Sequence, residues 1–103
     1  MINFLKKILG IKTIDFKQLV NNGALIIDVR TAAEYNNAHL RNAKNIPLQD
    51  LKAAMETLIK TQPIITCCAS GVRSESAKAI LKNNGFEAYN GGSWKNLEKK
   101  LKS

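Results

Sequence analysis

A cysteine followed by a short loop of small residues is the part of this sequence best suited to chemistry. Cys68 precedes a segment with one glycine that must curl tightly to start a helix: Ala69, Ser70, Gly71, Val72, Arg73 and Ser74. Such a turn directs successive backbone N–H groups inward as an anion-binding nest, and the helix N-terminus adds partial positive charge. A thiol at the centre of the nest ionises more readily than a free cysteine. The segment therefore predicts Cys68 as a nucleophile and residues 69–74 as the binding site for an anionic substrate.

The competing interpretation is a buried structural cysteine before an ordinary strand-to-helix turn. A cysteine alone at a strand end is weak evidence, but the spacing Cys-x-x-Gly-x-Arg-Ser between a buried strand and a helix is far more specific. We therefore favour the functional interpretation. Arg73 keeps two interpretations, because its guanidinium group can bind an anionic substrate or brace the loop through its own hydrogen bonds.

Two charged residues follow another apolar run. Asp28 and Arg30 lie where a parallel strand would end, and ligands bind beyond the carboxyl ends of such strands. They are possible secondary site residues. We favour a structural role, in which Arg30 pairs with Glu34 four residues later.

The other candidate ligands and nucleophiles fit structural roles better. His39 is the only histidine and lies in a predicted loop, where we expect it to form hydrogen bonds rather than a Cys/His pair. Cys67 precedes Cys68 and so should face the opposite side of a strand, in the core. Two cysteines and one distant histidine make a poor metal site, so we expect no metal and no cofactor.

The elements that position this chemistry alternate between strands and helices. Strands are predicted at residues 12–14, 24–29, 45–47, 64–67 and 86–89, of which 24–29 and 64–67 have the continuous apolar character of strands buried on both faces. This alternation predicts an α/β layer fold with a mostly parallel sheet.

Helix starts and stops follow from capping residues. Asp15, Thr31 and Ser93 are predicted N-caps, and Thr31 with Glu34 fits a capping box. A helix from Gln49 or Asp50 and a helix over about residues 73–83 complete the set, and Gly91-Gly92 is predicted as a turn. The helix after residue 50 should bury one side, formed by Leu51, Ala54, Met55, Leu58 and Ile59.

Length and composition limit the chain to one compact domain. The 103 residues are 45% hydrophobic and 23% charged. The two adjacent cysteines cannot cross-link distant segments, which favours a reducing compartment. No apolar run approaches the roughly 18 residues of a membrane span, so we expect a cytoplasmic protein without stable membrane insertion.

The net charge of +8 does not predict nucleic-acid binding. Most of the excess lies in lysines near the two ends, and the aromatic residues are not interleaved with them as a base-stacking surface requires. Residues 1–10 have the spacing of a short amphipathic helix, which we expect to cover the domain's own surface.

Taken together, residues 68–74 resemble the active-site loop of single-domain rhodaneses, the sulfurtransferase family. Further segments agree in order and spacing: Asp28-Val29-Arg30, Glu34-Tyr35, His39-Leu40, Asn45-Ile46-Pro47-Leu48, and Gly91-Gly92 with Trp94. The resemblance covers nearly the whole chain. It implies a rhodanese-like domain at residues 12–103, after an extension at residues 1–11, and a three-layer α/β/α fold with a five-stranded parallel sheet.

The resemblance also implies a reaction. Cys68 would take the outer sulfur of a donor such as thiosulfate, and its persulfide would pass that sulfur to cyanide in vitro or to a thiol or protein in vivo. The loop amides would hold the persulfide and the departing oxyanion, with Asp28 and Arg30 as possible secondary residues. We expect a monomer with a small-molecule donor, and no nucleic-acid partner.

Three rival functions remain. Phosphatases of the same fold use a cysteine, five residues and an arginine, which counts correctly from Cys67 to Arg73. Their glycine follows the nucleophile by three residues, however, and Gly71 has that relation to Cys68, which leaves a shorter loop that fits a sulfur atom better than a phosphate. The second rival is a persulfide carrier with little small-molecule turnover. The third, an inactive binding module, is disfavoured by the intact loop.

Overall fold

In a computed structural model, which describes residues 13–103, the chain folds into a four-stranded parallel sheet with helices on both faces. The predicted helix at residues 1–10 lies outside this range. The sheet order is β2-β1-β3-β4. The strands are β1 (Leu25–Asp28), β2 (Lys44–Asn45), β3 (Ile64–Cys68) and β4 (Ala88–Ser93).

Within residues 13–103, five α-helices connect and flank these strands: α1 (Phe16–Asn21), α2 (Ala32–Asn37), α3 (Leu51–Ala54), α4 (Val72–Asn83) and α5 (Trp94–Lys102). The predicted caps are confirmed. Asp15 and Ser93 each accept a hydrogen bond from a backbone N–H three residues later, and Thr31 with Glu34 forms the full capping box. Each cap satisfies a backbone donor that the first helical turn leaves unpaired.

The core has two parts, one on each face of the sheet. One contains Leu51 of α3 and Leu81 of α4, and the other contains Phe16 of α1 and Leu97 of α5. Side chains alternate along a strand, so Cys67 and Cys68 belong to opposite faces, and both are buried. The predicted core position of Cys67 is confirmed.

The strand count is lower than the family resemblance implied. Thr13 and Ile14, from the predicted strand at residues 12–14, are not in a strand, and both are exposed. They bury no side chain against the sheet, so nothing stabilises strand pairing there. The described part of the chain therefore has four strands, and the α/β parallel architecture is confirmed.

The last strand starts later and extends further than predicted. Gly91 and Gly92 belong to β4, where a turn was predicted. A β-carbon on Gly91 would lie 2.9 Å from both Ile65 Cγ2 and Leu97 Cδ2, so the glycine permits close backbone contact inside the sheet. The pairing of β3 with β4 shifts register between Thr66 and Cys68.

The helix predicted after residue 50 is also shorter than expected. The α3 helix is flanked by 3₁₀ turns at Leu48–Asp50 and Met55–Thr57, and the chain leaves helical geometry at Leu58. Leu58 still packs against the core, but Ile59 is 63% exposed, so its predicted burial is wrong. The early end rotates Ile59 away from the apolar side.

Candidate active site

The predicted nucleophile, Cys68, is the last residue of β3. It therefore lies at the carboxyl end of the sheet, where ligands of parallel α/β folds bind. Cys68 is followed by three loop residues, of which Ala69 and Ser70 are exposed, and then by α4. We call residues 68–74 the cysteine loop. The Cys68 side chain itself is fully buried.

Backbone N–H groups of the cysteine loop point at the Cys68 sulfur. Gly71 N–H donates to Sγ at 3.0 Å, and Ser74 N–H donates at 3.4 Å. The thiol lies 3.4 Å from the Ser74 hydroxyl oxygen. Burial raises the pKa of the Cys68 thiol, but hydrogen bonds from the Ser74 hydroxyl and from the amides of Ser74, Gly71 and Ser70 outweigh this and lower the pKa below its ordinary value. The geometry stabilises a thiolate.

Gly71 is required where the loop turns into α4. Its φ of +100° lies in the left-handed region that side chains disfavour. A β-carbon there would also lie 3.3 Å from the Gly92 Cα atom, so the loop packs directly on the glycine pair of β4. This contact links the nest to the end of the sheet.

Asn90 of β4 is a site residue that sequence reasoning missed. Its Oδ1 accepts hydrogen bonds from the Ser74 hydroxyl at 2.7 Å and from Gly92 N–H at 2.8 Å. Its Nδ2 donates to the Gly71 carbonyl and to Glu75, both at 3.1 Å. The only sequence signal was a polar residue directly before the glycine pair.

Arg73 pairs with a carboxylate of another helix. Its guanidinium donates to both carboxylate oxygens of Glu34, at 2.7 and 3.0 Å. The Arg73 hydrogen bond, helped by the N–H of Thr31, lowers the pKa of Glu34 to about 2, and the same pair raises the pKa of Arg73. A cavity of about 510 Å³ opens beside Arg73, against residues 47–50.

The Arg30–Glu34 pair predicted from the sequence is wrong. Arg30 instead donates to Asp28, with Nε to Oδ1 at 2.9 Å and Nη2 to Oδ2 at 2.8 Å. Both side chains are buried, and the guanidinium also contacts the Ala38 carbonyl at 2.7 Å and lies 5.1 Å from the Trp94 ring centre. The Glu34 carboxylate instead pairs with Arg73, so it does not pair with Arg30. The Asp28–Arg30 pair ties β1 to α5 rather than to the Cys68 sulfur.

The remaining candidates lie away from this chemistry. Burial and the charge of Asp28 raise the pKa of the Cys67 thiol to about 12, so Cys67 stays protonated. His39 Nδ1 lies 2.7 Å from the Tyr35 carbonyl oxygen and its ring stacks on Tyr35, the predicted hydrogen-bonding role. Within residues 13–103, no three His, Cys, Asp or Glu side chains come together as a metal site, and no helix is long and apolar enough to span a bilayer.

Comparison with known proteins finds relatives that match much of this chain. The chain is 38% identical to the uncharacterized protein YqhL of Bacillus subtilis over 68 residues, covering 65% of this chain and 54% of that protein. It is 30% identical to a tRNA sulfurtransferase of Thermoplasma acidophilum over 88 residues, covering 85% of this chain and 18% of that protein. The chain thus spans about half or less of these relatives.

Solved structures of rhodaneses are also similar to this chain. A rhodanese from E. coli, determined with anions, superposes with a TM-score of 0.65 at 32% identity, covering 72% of this chain and 91% of that one. The family model for rhodanese-like domains matches residues 13–99, which contain the whole sheet and the cysteine loop. The chain belongs to the family of rhodanese-like domains.

Proposed function

We propose that this domain is a sulfurtransferase that carries sulfane sulfur on Cys68. The observation that supports the proposal most directly is that the buried Cys68 sulfur accepts hydrogen bonds from the backbone N–H groups of Gly71 and Ser74. A buried anion without such donors would be strongly disfavoured, whereas a nest of amides stabilises it. The same donors suit a persulfide, which carries its charge on the outer sulfur.

The first half-reaction loads the protein. The Cys68 thiolate attacks the outer sulfur of a donor, with thiosulfate as the proposed test donor. A Cys–S bond to that sulfur forms while the donor's own S–S bond breaks, and the electron pair leaves with sulfite. Amides aimed at the developing negative charge lower this barrier without reorganisation.

The second half-reaction unloads the protein. A nucleophilic acceptor, such as cyanide or a thiolate, attacks the outer sulfur of the persulfide. The S–S bond to Cys68 breaks and its electron pair returns to the cysteine as thiolate. With cyanide the product is thiocyanate, so the thiolate is regenerated without an external oxidant or reductant.

The names of relatives support sulfur transfer as the class of reaction. One relative is named as a tRNA sulfurtransferase, and the E. coli rhodanese structure is described as containing anions. We extend the chemistry, and not the tRNA substrate, to this chain. The proposed acceptor in the cell is a thiol or a protein persulfide acceptor.

A phosphatase is a poorer fit. Its arginine must be free to bind phosphate oxygens, yet both Arg73 contacts are made to Glu34. The five-residue spacing needs Cys67 as nucleophile, but burial raises its pKa to about 12 and its side chain lies on the opposite face from the nest. Cys68 therefore carries the proposed chemistry.

The test is formation of thiocyanate from thiosulfate and cyanide. Wild-type protein and the Cys67→Ser control should both turn over, and Cys68→Ser should not. Intact-mass analysis after donor treatment should find one added sulfur on wild type and none on Cys68→Ser. A loaded protein with negligible turnover would instead support a persulfide carrier. Phosphate-ester hydrolysis that depends on Cys67 would overturn the proposal.

A further inference from the structure

Asn90 uses every hydrogen-bonding position of its side-chain amide. An amide can donate twice and accept twice. Nδ2 donates to the Gly71 carbonyl and Glu75, while Oδ1 accepts from Gly92 N–H and the Ser74 hydroxyl. Two of these partners are backbone groups of fixed polarity, a carbonyl and an N–H. They determine which end of the amide faces each way, so Oδ1 must face Ser74.

This orientation fixes the direction of the Ser74 hydroxyl. Because Oδ1 can only accept, the hydroxyl proton points at Asn90, and the hydroxyl oxygen offers a lone pair to the Cys68 thiol at 3.4 Å. The chain of donors runs from thiol to hydroxyl to amide oxygen. This orientation of the Ser74 hydroxyl suits a protonated sulfur, whereas the N–H groups of Gly71 and Ser74 suit the thiolate.

Ionisation of Cys68 reverses the requirement at Ser74. A thiolate accepts hydrogen bonds but cannot donate them, so the hydroxyl must rotate its proton toward the sulfur. That rotation gives up the 2.7 Å bond to Asn90, whose Oδ1 retains Gly92 N–H. The sulfur and the Asn90 oxygen therefore compete for one proton.

We propose that Asn90 is a positioning residue that acts through the Ser74 hydroxyl and sets how readily Cys68 gives up its proton. A stronger acceptor at position 90 holds the hydroxyl away from the sulfur and favours the thiol. Removal of the acceptor releases the hydroxyl to the sulfur and favours the thiolate. The inference concerns the same sulfur as the proposed function, but its test measures ionisation and does not need sulfur transfer.

Charged and titratable groups around the site are few. Glu75 and Arg73 lie on α4, the Asp28–Arg30 pair lies on β1, and Cys67 lies beside Cys68 on β3. Residues 90–93 of β4 carry no charged side chain. Because Asn90 itself donates to Glu75, the contributions of these groups cancel only between variants that carry the same residue at position 90 and differ at Ser74.

The test is the pH dependence of Cys68 alkylation by iodoacetamide, with the labelled cysteine located by peptide mass spectrometry. Asn90→Asp should raise the pH midpoint and, at a pH below both midpoints, lower the rate by about tenfold, because one pKa unit is there a tenfold change in thiolate fraction. Asn90→Ala should lower the midpoint. Both variants should be compared again in a Ser74→Ala background, where Asn90→Ala should change nothing and Asn90→Asp should retain only its through-space charge effect of about threefold or less.

Asn84→Asp is the matched charge control. It adds the same carboxylate directly after the far end of α4, where the Asn84 side chain donates a hydrogen bond to the Ile80 carbonyl, and should leave the Cys68 rate within about twofold. Thermal melting of each variant reports folding separately.

Several outcomes would overturn the inference. Equal shifts with and without the Ser74 hydroxyl would mean that Asn90 does not act through it. Upward shifts in both Asn90 variants would mean that the amide merely holds the nest together, as would lower melting temperatures with unchanged midpoints. If sulfur transfer is absent but Asn90→Asp raises the midpoint and Asn90→Ala lowers it as expected, the proposed function fails and the positioning role stands.

Discussion

Arg73 and Glu34 join the first turn of α4 to the capping box of α2 through two N–H···O contacts of 2.7 and 3.0 Å. The two residues are 39 positions apart, and neither belongs to the sheet. Glu34 thus serves both as the capping carboxylate of α2 and as the anchor of the cysteine loop. Planar paired contacts of this kind fix orientation as well as distance.

If the pair braces the loop, either partner can be removed with the same effect. Arg73→Lys keeps the positive charge but loses the planar group that donates two parallel hydrogen bonds. Glu34→Gln keeps the shape of the side chain but loses its negative charge. Each should lower thiocyanate turnover by about fivefold, and the double variant should be no worse than either single one. A higher KM for thiosulfate in Arg73→Lys but not in Glu34→Gln would show that Arg73 binds the donor directly.

The same pair should respond to acid. Because the pKa of Glu34 is lowered from 4.5 to about 2, its stabilising contribution is complete above pH 4.5 and is lost as the pH falls through about 2. At neutral pH, wild type should have a higher melting temperature than Glu34→Gln, and the difference between the two melting temperatures should disappear only near pH 2. Melting curves measured from pH 7 to pH 2 check this. Disappearance of the difference already at pH 4.5 would mean that the carboxylate is unpaired in solution.

The two cysteines should differ in reactivity in the folded protein. The lowered pKa of Cys68 means that its thiolate persists to lower pH than that of a free cysteine, while Cys67 stays protonated because its pKa is about 12. Iodoacetamide at neutral pH should label Cys68 alone, with a midpoint below that of a cysteine peptide. In denaturant both should react alike. Faster labelling of Cys67 in the folded protein would reverse the assignment of the nucleophile.

The local parts of the site could be predicted from sequence, and the long-range parts could not. Residues 68–74 are contiguous, so their spacing alone predicted a nest around Cys68. Asn90 contacts Ser74 across 16 positions, and Glu34 contacts Arg73 across 39, so both depend on how the strands and helices pack. Arg30 shows the reverse error: a favourable local spacing to Glu34 was overridden by a closer buried partner, Asp28.

The fold shows the same limit. Apolar runs at residues 24–29 and 64–67 identified the two central strands, because strands buried on both faces carry a strong signal. The β4 strand contains Asn90, Gly91 and Gly92, which are typical of turns. Its conformation comes instead from the space available, since Gly91 fits between Ile65 and Leu97 only without a side chain.

Glycine at position 71 should be needed for reactivity beyond its effect on stability. Gly71 and Gly23 have nearly the same φ, +100° and +101°, but only Gly71 belongs to the nest, and a β-carbon on Gly23 would meet open space. Alanine at either position should cost about 1–2 kcal/mol of unfolding free energy from left-handed strain. Gly71→Ala should also slow Cys68 alkylation, because its N–H can no longer hold the sulfur at 3.0 Å. Equal alkylation rates in the two variants would remove the Gly71 amide from the mechanism.

The buried Asp28–Arg30 pair should act on stability rather than on sulfur chemistry. Asp28→Asn leaves the Arg30 guanidinium charged and buried against Ala38 and Trp94 without its counter-ion. Breaking a buried pair in this way should lower the unfolding free energy by about 3–5 kcal/mol. The double variant Asp28→Asn with Arg30→Met should recover part of this loss, because no unpaired charge remains. Chemical denaturation measures the stability, and Cys68 alkylation of the folded fraction should stay within about twofold of wild type. A large change in that rate at unchanged stability would mean that the pair contributes to the site, as its position at the end of β1 allows.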